Sequence, residues 1–307
     1  MNQNEPEKGA RNLLETLAMS GVARACQTMS FDACRYAGGW LGLLMFSALG
    51  KRQNVAVRNI RLALGVSNPR AHQLARRSAM NFGMTFAEFL HLPVATEAEI
   101  RERAYINGLQ NVWDALEPGR GAVLLTAHLG NWELMGARAA LDFPLSVVAR
   151  PTSNAGVQKH VDAGRRAAHI GVISKYESGR RSLEVLRRGE TLGILPDQHA
   201  GAEGALLPFF GQPTRVWTAL ARLAMLSGAC VVPAFGVRRR PFLADGRIEA
   251  RVSPSWSVPK SRDREAAILD GTKRVVWELE QIMRAEPDQW LWLHRRWREK
   301  DGAVLPE

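Results

Sequence analysis

Two residues in this sequence, His128 and Glu133, have the types and the spacing that proton transfer requires. They lie in the stretch A-H-L-G-N-W-E (127–133). The apolar run at 123–127 comes directly before the histidine and is short enough for a buried strand. Asn131 is a favourable N-cap, which predicts a turn and then a helix with Glu133 in its first turn. With the turn between them, Glu133 can fold back and accept a hydrogen bond from one imidazole nitrogen of His128.

This pairing would equip His128 as a general base. The carboxylate fixes the imidazole tautomer, stabilises the imidazolium and leaves the second ring nitrogen free to take a proton. Such a base contributes roughly 10²–10⁴-fold in rate. The stretch contains no serine or cysteine to act as nucleophile, so the proton would come from a hydroxyl of the substrate. A buried histidine that is simply satisfied by a nearby glutamate fits these two residues equally well.

The elements that must position these residues follow an alternating pattern from residue 104 onward. Short apolar runs alternate with helical patterns, which predicts an α/β fold with a mostly parallel central sheet covered by helices. Three of the predicted strands end in polar residues, namely His128, Arg150 and Asp197. Ligands bind at the carboxyl ends of strands in such sheets, so we expect these residues to share one edge.

The N-terminal third has a different pattern and is predicted to be mostly helical. We expect a helical region at 1–103 and an α/β core at 104–307. Residues 11–35 predict one weakly amphipathic helix. The apolar stretch that follows, Tyr36 to Gly50, is shorter than the roughly 20 residues that span a bilayer. With basic residues on both sides, it fits a helix that dips into one leaflet, so we expect a membrane-contacting region; a buried core helix fits almost as well.

The charge balance favours anionic partners. The chain of 307 residues has 41 Lys and Arg against 30 Asp and Glu, a net charge of +11. Phospholipid headgroups, phosphorylated lipids, an acidic carrier protein or nucleic acid would all fit this charge, although no nucleic-acid-binding motif is present. The aromatic and basic block Trp290 to Arg298 suits a membrane interface or nucleic acid. The cysteines lack metal-ligand spacing and the remaining histidines are scattered, so we expect no metal.

Several blocks, taken together and in order, resemble a known family. The stretch 128–133 is an H-x4-[DE] box, as in the glycerolipid acyltransferase superfamily. The ordered blocks are A-H-L-G-N-W-E (127–133), R-P (150–151), G-I-L-P-D-Q (193–198), P-F-F-G-Q-P-T (208–214), G-A-C-V-V-P-A-F (228–235) and D-Q-W-L-W-L-H-R-R-W-R (288–298). This order resembles the late acyltransferases of lipid A biosynthesis, the lauroyl and myristoyl transferases, and their mycobacterial relatives that acylate phosphatidylinositol mannosides.

The resemblance implies an O-acyltransferase and assigns roles within it. His128 matches the base that deprotonates the acceptor hydroxyl, and Glu133 matches its orienting carboxylate. The acyl chain would pass directly from a thioester of acyl carrier protein or coenzyme A, with no covalent acyl-enzyme and no other cofactor. Backbone N–H groups at Asn131, or the Arg150 side chain, could stabilise the oxyanion of the thioester carbonyl. Arg150 could instead hold a phosphate of the acceptor.

The remaining implied roles concern the acceptor. Asp197 and Gln198 match a block that helps to shape the acceptor site, Arg215 could meet a phosphate, and His294 is expected to be structural. The resemblance implies a membrane glycolipid acceptor, first of all a lipid A precursor of lipopolysaccharide biosynthesis. It also implies a peripheral or monotopic enzyme on the cytoplasmic face of the inner membrane. The alternatives are an acyltransferase for another lipid, such as a phosphatidylinositol mannoside or phospholipid, and a basic nucleic-acid-binding protein.

Overall fold

A computed structural model describes residues 5–240 and 242–304 of the chain. Its N-terminal part consists of helices: α1 (Glu5–Thr28), α2 (Phe31–Ala48), α3 (Gly50–Leu64), α4 (Asn68–His91) and α5 (Glu97–Arg103). The prediction of a single helix over 11–35 is wrong, because α1 ends at Thr28 and a second helix begins at Phe31. Ser30 caps the new helix by accepting a hydrogen bond from the Ala33 N–H, and this side-chain bond competes with helix continuation.

The part that follows alternates strands and helices. The strands are β1 (Ala104–Asn107), β2 (Ala122–Leu125), β3 (Leu145–Ala149), β4 (Gly171–Ser174), β5 (Thr191–Ile194), β6 (Ala205–Phe209), β7 (Gln212–Val216), β8 (Cys230–Arg238) and β9 (Ile248–Val252). The helices between and after them are α6 (Gln110–Leu116), α7 (Trp132–Ala140), α8 (Ala155–Ala167), α9 (Ser178–Arg187), α10 (Ala219–Ser227) and α11 (Arg264–Ala285).

Seven strands form one central sheet in the order β1-β9-β8-β2-β5-β3-β4. Every neighbouring pair is parallel except β8 with β9, which run antiparallel. The predicted fold class, a mostly parallel sheet with helices around it, is confirmed. The antiparallel hairpin of β6 and β7 was not predicted. The division into regions 1–103 and 104–307 stays a prediction, and its residues 1–4 and 305–307 lie outside the described part.

The central strand β2 shows why the sheet is covered on both faces. All four of its residues are buried. Val123 and Leu125 pack into one apolar cluster, with side chains of α10 and α11. Ala122 and Leu124 pack into a second cluster, with α6 and α7. Successive side chains of a strand point to opposite faces, so a continuous apolar run is what a doubly covered strand requires.

The apolar stretch of the N-terminal region has one packed face and one exposed face. One face of α2 packs closely on α4, where a Cβ at Gly83 would overlap the carbonyl of Gly38. The other face exposes Trp40, Leu44 and Met45, at 63%, 68% and 53% of their accessible surface. Among the described residues, no helix combines the length and the apolar character needed to cross a bilayer.

A buried ion pair joins the N-terminal helices to the sheet. Arg238 at the end of β8 is 0% exposed, and its guanidinium contacts the carboxylate of Glu88 on α4, which is 1% exposed. The same guanidinium donates to Asn81 on α4 and to the carbonyl of Gly246. Each charge therefore depends on the other, because neither can reach water.

Removing one partner of this pair should destabilise the fold strongly. We expect Glu88→Ala to lower the free energy of unfolding by about 3–5 kcal/mol, since Arg238 would stay buried without its counter-charge. Urea denaturation followed by circular dichroism measures this change. Glu184→Ala, which removes a surface partner of Arg180, is the matched control and should cost less than about 1 kcal/mol. An equal decrease in the free energy of unfolding for the two variants would contradict a large contribution of the buried ion pair to stability.

Candidate active site

The loop between β2 and α7 carries His128 and is fixed by its backbone. The Gly130 N–H donates to the carbonyl of Gln289 (3.1 Å), and the Asn131 N–H donates to that of Gly236 (2.9 Å). The carbonyl of His128 accepts from the Leu291 N–H (3.0 Å). Gly130 has a φ of +58°, and a Cβ there would overlap the Gly236 carbonyl, so the loop requires glycine at this position.

Side chains of α4 hold the same loop from the other side. Asn81 Nδ2 and Thr85 Oγ1 both donate to the Gly130 carbonyl, at 2.9 and 2.7 Å. The predicted N-cap is confirmed, because Asn131 Oδ1 accepts from the Leu134 N–H (2.9 Å). Asn131 Nδ2 donates to Glu88 (2.6 Å), and the residue is fully buried. Its side chain therefore holds the fold of the loop, and a contact of Asn131 with substrate stays a prediction.

His128 is oriented by an aspartate from the neighbouring strand. Its Nδ1 lies 2.9 Å from Asp197 Oδ1, and its backbone N–H donates to Asp197 Oδ2 (3.1 Å). The indole N–H of Trp290 donates to the same Oδ2 (2.8 Å). Because the carboxylate accepts from Nδ1–H, the neutral imidazole keeps its lone pair on Nε2. The Asp197 side chain is 1% exposed and that of His128 is 24% exposed, so the ring keeps access to solvent.

Glu133 does not make the hydrogen bond to His128 that its spacing suggests. From the first turn of α7 it instead accepts from Arg165 of α8 (2.9 Å) and from the Trp132 indole N–H (3.2 Å). The guanidinium of Arg165 competes successfully because it offers a charged donor, whereas the imidazole already has a carboxylate partner. Glu133 still contributes its negative charge to the surroundings of His128.

The buried pair favours its charged form. Burial alone would lower the pKa of His128, but the charge and hydrogen bond of Asp197, helped by Glu133, raise it above its ordinary value of 6.5. Burial alone would raise the pKa of Asp197, but His128 and the Trp290 N–H together hold it below its ordinary value. A base whose pKa lies above that of a free histidine is a stronger proton acceptor.

This shift fixes the pH dependence that we expect. His128 accepts a proton only when it is neutral, so kcat/KM should rise with pH through a value above the ordinary histidine pKa of 6.5. In Asp197→Asn the acid limb should move to lower pH, because the attracting charge is gone. Initial rates measured between about pH 5 and 9 test both statements. An acid limb below that of a free histidine in the unmodified enzyme would contradict them.

The other residues predicted from the sequence lie at different distances from this pair. β2, β5 and β3 are neighbours, so His128, Asp197 and Arg150 follow the same edge, as predicted. Arg150 is exposed, and β5 separates its strand from β2, a distance of about 10 Å. Gln198 is partly buried next to Asp197. Arg215 lies in β7, where it donates to the carbonyl of Gly204 (3.0 Å) and pairs with Asp301 (3.4 Å).

An aromatic wall connects His128 with an apolar chamber. The His128 ring meets the Trp132 ring edge to face, with centroids 5.1 Å apart, and Trp132 stacks on Phe82 at 6.3 Å. Phe82 lines a cavity of about 700 Å³ between α1, α2 and α4. Its other lining residues are mostly apolar and include Met45, and Leu293 of the C-terminal block. A long hydrocarbon chain could bind in this apolar cavity, which the rings of Phe82 and Trp132 connect to His128.

The C-terminal block is not the membrane-facing surface that its composition suggested. Trp290, Trp292 and Trp297 are only 2%, 0% and 3% exposed, and Arg296 is 0% exposed. These residues pack inside the molecule, and Arg296 lies over the ring of Phe209. Trp290, as a donor to Asp197, is a site residue that the sequence did not reveal. Within the described ranges, no group of three His, Cys, Asp or Glu side chains is arranged as metal ligands.

Comparison with known proteins agrees with this architecture. The bacterial lipid A biosynthesis acyltransferase family matches residues 9–299. The chain is 25% identical over 286 residues to the lipid A biosynthesis palmitoleoyltransferase of Escherichia coli K12, covering 91% of this chain and 90% of that protein. It is 24% identical over 271 residues to the lipid A biosynthesis lauroyltransferase of the same organism, covering 87% and 86%.

A second kind of relative matches a shorter part. The chain is 27% identical over 165 residues to the phosphatidylinositol mannoside acyltransferase of Mycolicibacterium smegmatis, covering 52% of this chain and 54% of that protein. The match across nearly the whole chain, together with the site at the sheet edge, confirms the resemblance found in the ordered motifs. The chain belongs to the bacterial lipid A biosynthesis acyltransferase family and is an enzyme of the acyltransferase class.

Proposed function

We propose that this enzyme transfers a fatty acyl chain from a thioester to a hydroxyl of a membrane glycolipid, with His128 as the general base. The observation that carries this proposal is the oriented imidazole, held through Nδ1 by Asp197 with Nε2 left to accept a proton. Asp197 therefore takes the orienting role that the sequence had suggested for Glu133. The Trp290 N–H keeps the carboxylate in place.

The proton balance of the reaction is simple. Nε2 of His128 takes the proton of the acceptor hydroxyl while the hydroxyl oxygen attacks the thioester carbonyl carbon. The C–S bond then breaks, and the leaving sulfur takes the proton from the imidazolium. No acyl-enzyme is required, and the hydrogen bonds of the His128 side chain lead, within residues 5–240 and 242–304, to Asp197 rather than to a serine or cysteine.

The apolar chamber supports the placement of the acyl chain. It adjoins His128 through Trp132 and Phe82, so a chain seated in the chamber would bring its thioester to the base. The donor would be acyl carrier protein or coenzyme A, and the net charge of +11 favours either of these anionic carriers.

The surface around the chamber supports contact with a membrane. Large apolar side chains on α1, on α2 and at the residue after α2 are exposed, namely Leu13, Leu14, Leu17, Trp40, Leu41, Leu44, Met45 and Leu49. An apolar patch of this kind marks an interaction site, and together with the basic charge it suits an anionic bilayer surface. The enzyme would then bind peripherally at the cytoplasmic face of the inner membrane and take its acceptor from the bilayer.

Substitutions in this patch should release the enzyme from membranes. We expect Trp40→Asp combined with Leu44→Asp to lower binding to vesicles with anionic lipid at least about tenfold, because two exposed apolar side chains that would insert into the bilayer are lost. Vesicle flotation measures the bound fraction. Trp277→Asp replaces another exposed tryptophan, on α11, and should leave binding unchanged. Equal flotation of the double variant and the unmodified enzyme would contradict this surface.

A lipid A precursor is the proposed acceptor. The relatives that carry lipid A in their names match about nine tenths of the chain, whereas phosphatidylinositol mannoside acyltransferases match 52% and 72% of it. Arg150 and Gln198, at the same sheet edge as His128, are proposed to contact the acceptor headgroup, with Arg150 on a phosphate. Arg215 is a weaker candidate for this role because its guanidinium is held by Gly204 and Asp301.

The experiment that tests the function pairs two donors with two acceptors. Acyl carrier protein and coenzyme A thioesters are each incubated with a lipid A precursor or with a phosphatidylinositol mannoside, and products are identified by mass spectrometry. The expected product is the lipid A precursor with one additional ester. Acylation of the mannoside alone would replace the acceptor in the proposal. Intact thioesters in all four mixtures would overturn the function.

A further inference from the structure

A second histidine, His294, is close enough to His128 and Asp197 for their charges to act on its pKa, and it has no role in the mechanism so far. It follows α11 in a segment whose backbone is tied to the catalytic loop, where the Leu291 N–H donates to the His128 carbonyl (3.0 Å). Asn59 of α3 fixes the backbone further along by donating to the carbonyls of Trp292 (2.8 Å) and His294 (2.7 Å). The position of the imidazole is therefore determined from two sides.

The tautomer of this imidazole is also determined. The backbone N–H of His199 donates to Nε2 of His294 (3.1 Å), so this nitrogen carries a lone pair and no proton. In the neutral ring the proton must then sit on Nδ1. His199 is itself anchored, because its Nε2 pairs with Asp301 (2.7 Å) and its Nδ1 accepts from the Gly201 N–H (2.9 Å).

His294 stays neutral in the range where His128 acts as a base. Burial, followed by repulsion from Arg296, His128 and Arg298, lowers its pKa to about 4, although Asp197 opposes this shift. The ring therefore cannot compete for the proton of the acceptor. The neutral ring can donate a hydrogen bond only from Nδ1, because Nε2 already accepts from His199.

The reaction needs such a donor, since the thioester carbonyl oxygen becomes negative when the acceptor attacks. The N–H groups at the start of the loop are already in use. That of His128 donates to Asp197 (3.1 Å) and that of Leu129 to the Ala127 carbonyl (2.7 Å). Those of Gly130 and Asn131 donate to backbone carbonyls of other segments. The N–H groups of residues 128–131 are therefore not available to a substrate.

The segment that carries His294 contacts both the catalytic loop and the apolar chamber. The neighbouring Leu293 lines the apolar chamber, and Phe82 of the same chamber leads through Trp132 to His128. A neutral imidazole whose pKa is depressed is an established kind of electrophilic donor in enzymes.

We propose that His294 is a catalytic residue that donates a hydrogen bond from Nδ1–H to the carbonyl oxygen of the acyl thioester as that oxygen gains negative charge. The proton stays on His294 throughout, and the charge returns to the carbonyl when the C–S bond breaks. This assignment rests on the proposed acyl transfer and on the seat of the acyl chain in the chamber.

Two amide substitutions of different reach test the assignment. The amide nitrogen of asparagine takes the place of Nδ1, whereas that of glutamine takes the place of Nε2. We expect His294→Ala and His294→Gln to lower kcat by about 10²–10³-fold with little change in KM, which is the typical effect of losing one oxyanion donor. His294→Asn should retain activity to within about tenfold of the unmodified enzyme, because it keeps a donor at the same place.

Four outcomes separate this assignment from its alternatives. Full activity in a folded His294→Ala variant would overturn it, as would equal activity of the asparagine and glutamine variants. If the unmodified enzyme cleaves no thioester, the proposed function fails and this assignment fails with it. If the unmodified enzyme is active and His128→Ala is inactive, the role of His128 as the base is supported. The His294 variants then test only the role of His294 as the hydrogen-bond donor.

Nuclear magnetic resonance gives a readout that does not depend on activity. Nitrogen shifts of ¹⁵N-labelled histidine, assigned with His294→Ala, should show a neutral ring with its proton on Nδ1 from about pH 6 to 8. Titration of His294 in that range, or a proton on Nε2, would contradict the assignment even if the variants lost activity. A structural role alone would not predict the preference for asparagine over glutamine.

Discussion

Replacing His128 by alanine is expected to lower kcat by about 10²–10⁴-fold, because in the proposed mechanism His128 takes the proton from the acceptor hydroxyl. The KM for the thioester should change little, since the apolar chamber that holds the acyl chain is lined by other residues. Thioester cleavage, followed as free thiol under saturating donor and acceptor, gives kcat directly. His72→Ala, which replaces another histidine on α4, is the control and should behave as the unmodified enzyme.

The contrary result for this variant is equally specific. If His128→Ala keeps full transfer activity while remaining folded, then the general-base mechanism is wrong. A drop in KM together with kcat would instead point to released ground-state strain. The melting temperature of each variant distinguishes loss of chemistry from loss of fold.

The second large effect concerns the carboxylate that orients the base. Asp197→Asn is expected to lower kcat by about 10⁴-fold, the size seen when such a carboxylate is neutralised in a triad. Two N–H donors, from His128 and Trp290, point at Oδ2, so the amide oxygen of asparagine must take that place. Its NH₂ group then faces the imidazole Nδ1 and forces the proton onto Nε2. The nitrogen that should accept a proton is thereby blocked.

Glu133→Gln is the matched comparison for this variant. Glu133 is bonded to Arg165 rather than to His128, so its loss should remove only a distant charge and lower kcat by about tenfold or less. The two variants measured side by side, under the conditions used for His128→Ala, decide which carboxylate orients the base. A larger loss in Glu133→Gln than in Asp197→Asn would return the orienting role to Glu133.

The sequence predicted which residues share one edge of the sheet, but it did not predict which of them contact each other there. An apolar run before a polar residue predicts a strand end, and three such ends are brought together because β2, β5 and β3 are neighbours. The partner of His128 was not predictable in the same way. Asp197 is 69 residues away along the chain, and its contact depends on the pairing of β2 with β5. Glu133 seemed closer because only local spacing can be read from a sequence.

The composition of the C-terminal block led to a wrong prediction of a membrane-facing surface, because its tryptophans and Arg296 are buried. The tryptophans and arginines near the C-terminus have the composition of a membrane interface, yet Trp290 and Arg296 are enclosed by the fold. Only the three-dimensional packing shows that Arg296 has Phe209 beneath it and that Trp290 has a carboxylate to bind. The exposed apolar face lies instead on α1 and α2, where the close packing of Gly83 on Gly38 settles which side of α2 turns outward.

The hydrogen bond from Trp290 to Asp197 has a consequence for the order in which the site can form during synthesis. Its donor follows its acceptor by 93 residues, and β8 and β9 lie between them in the chain. A nascent chain is made from its N-terminus, so His128 and Asp197 leave the ribosome well before the indole that steadies their carboxylate. Premature termination before Trp290 would therefore yield a polypeptide that contains His128 and Asp197. It would lack the indole N–H that holds the Asp197 carboxylate in place.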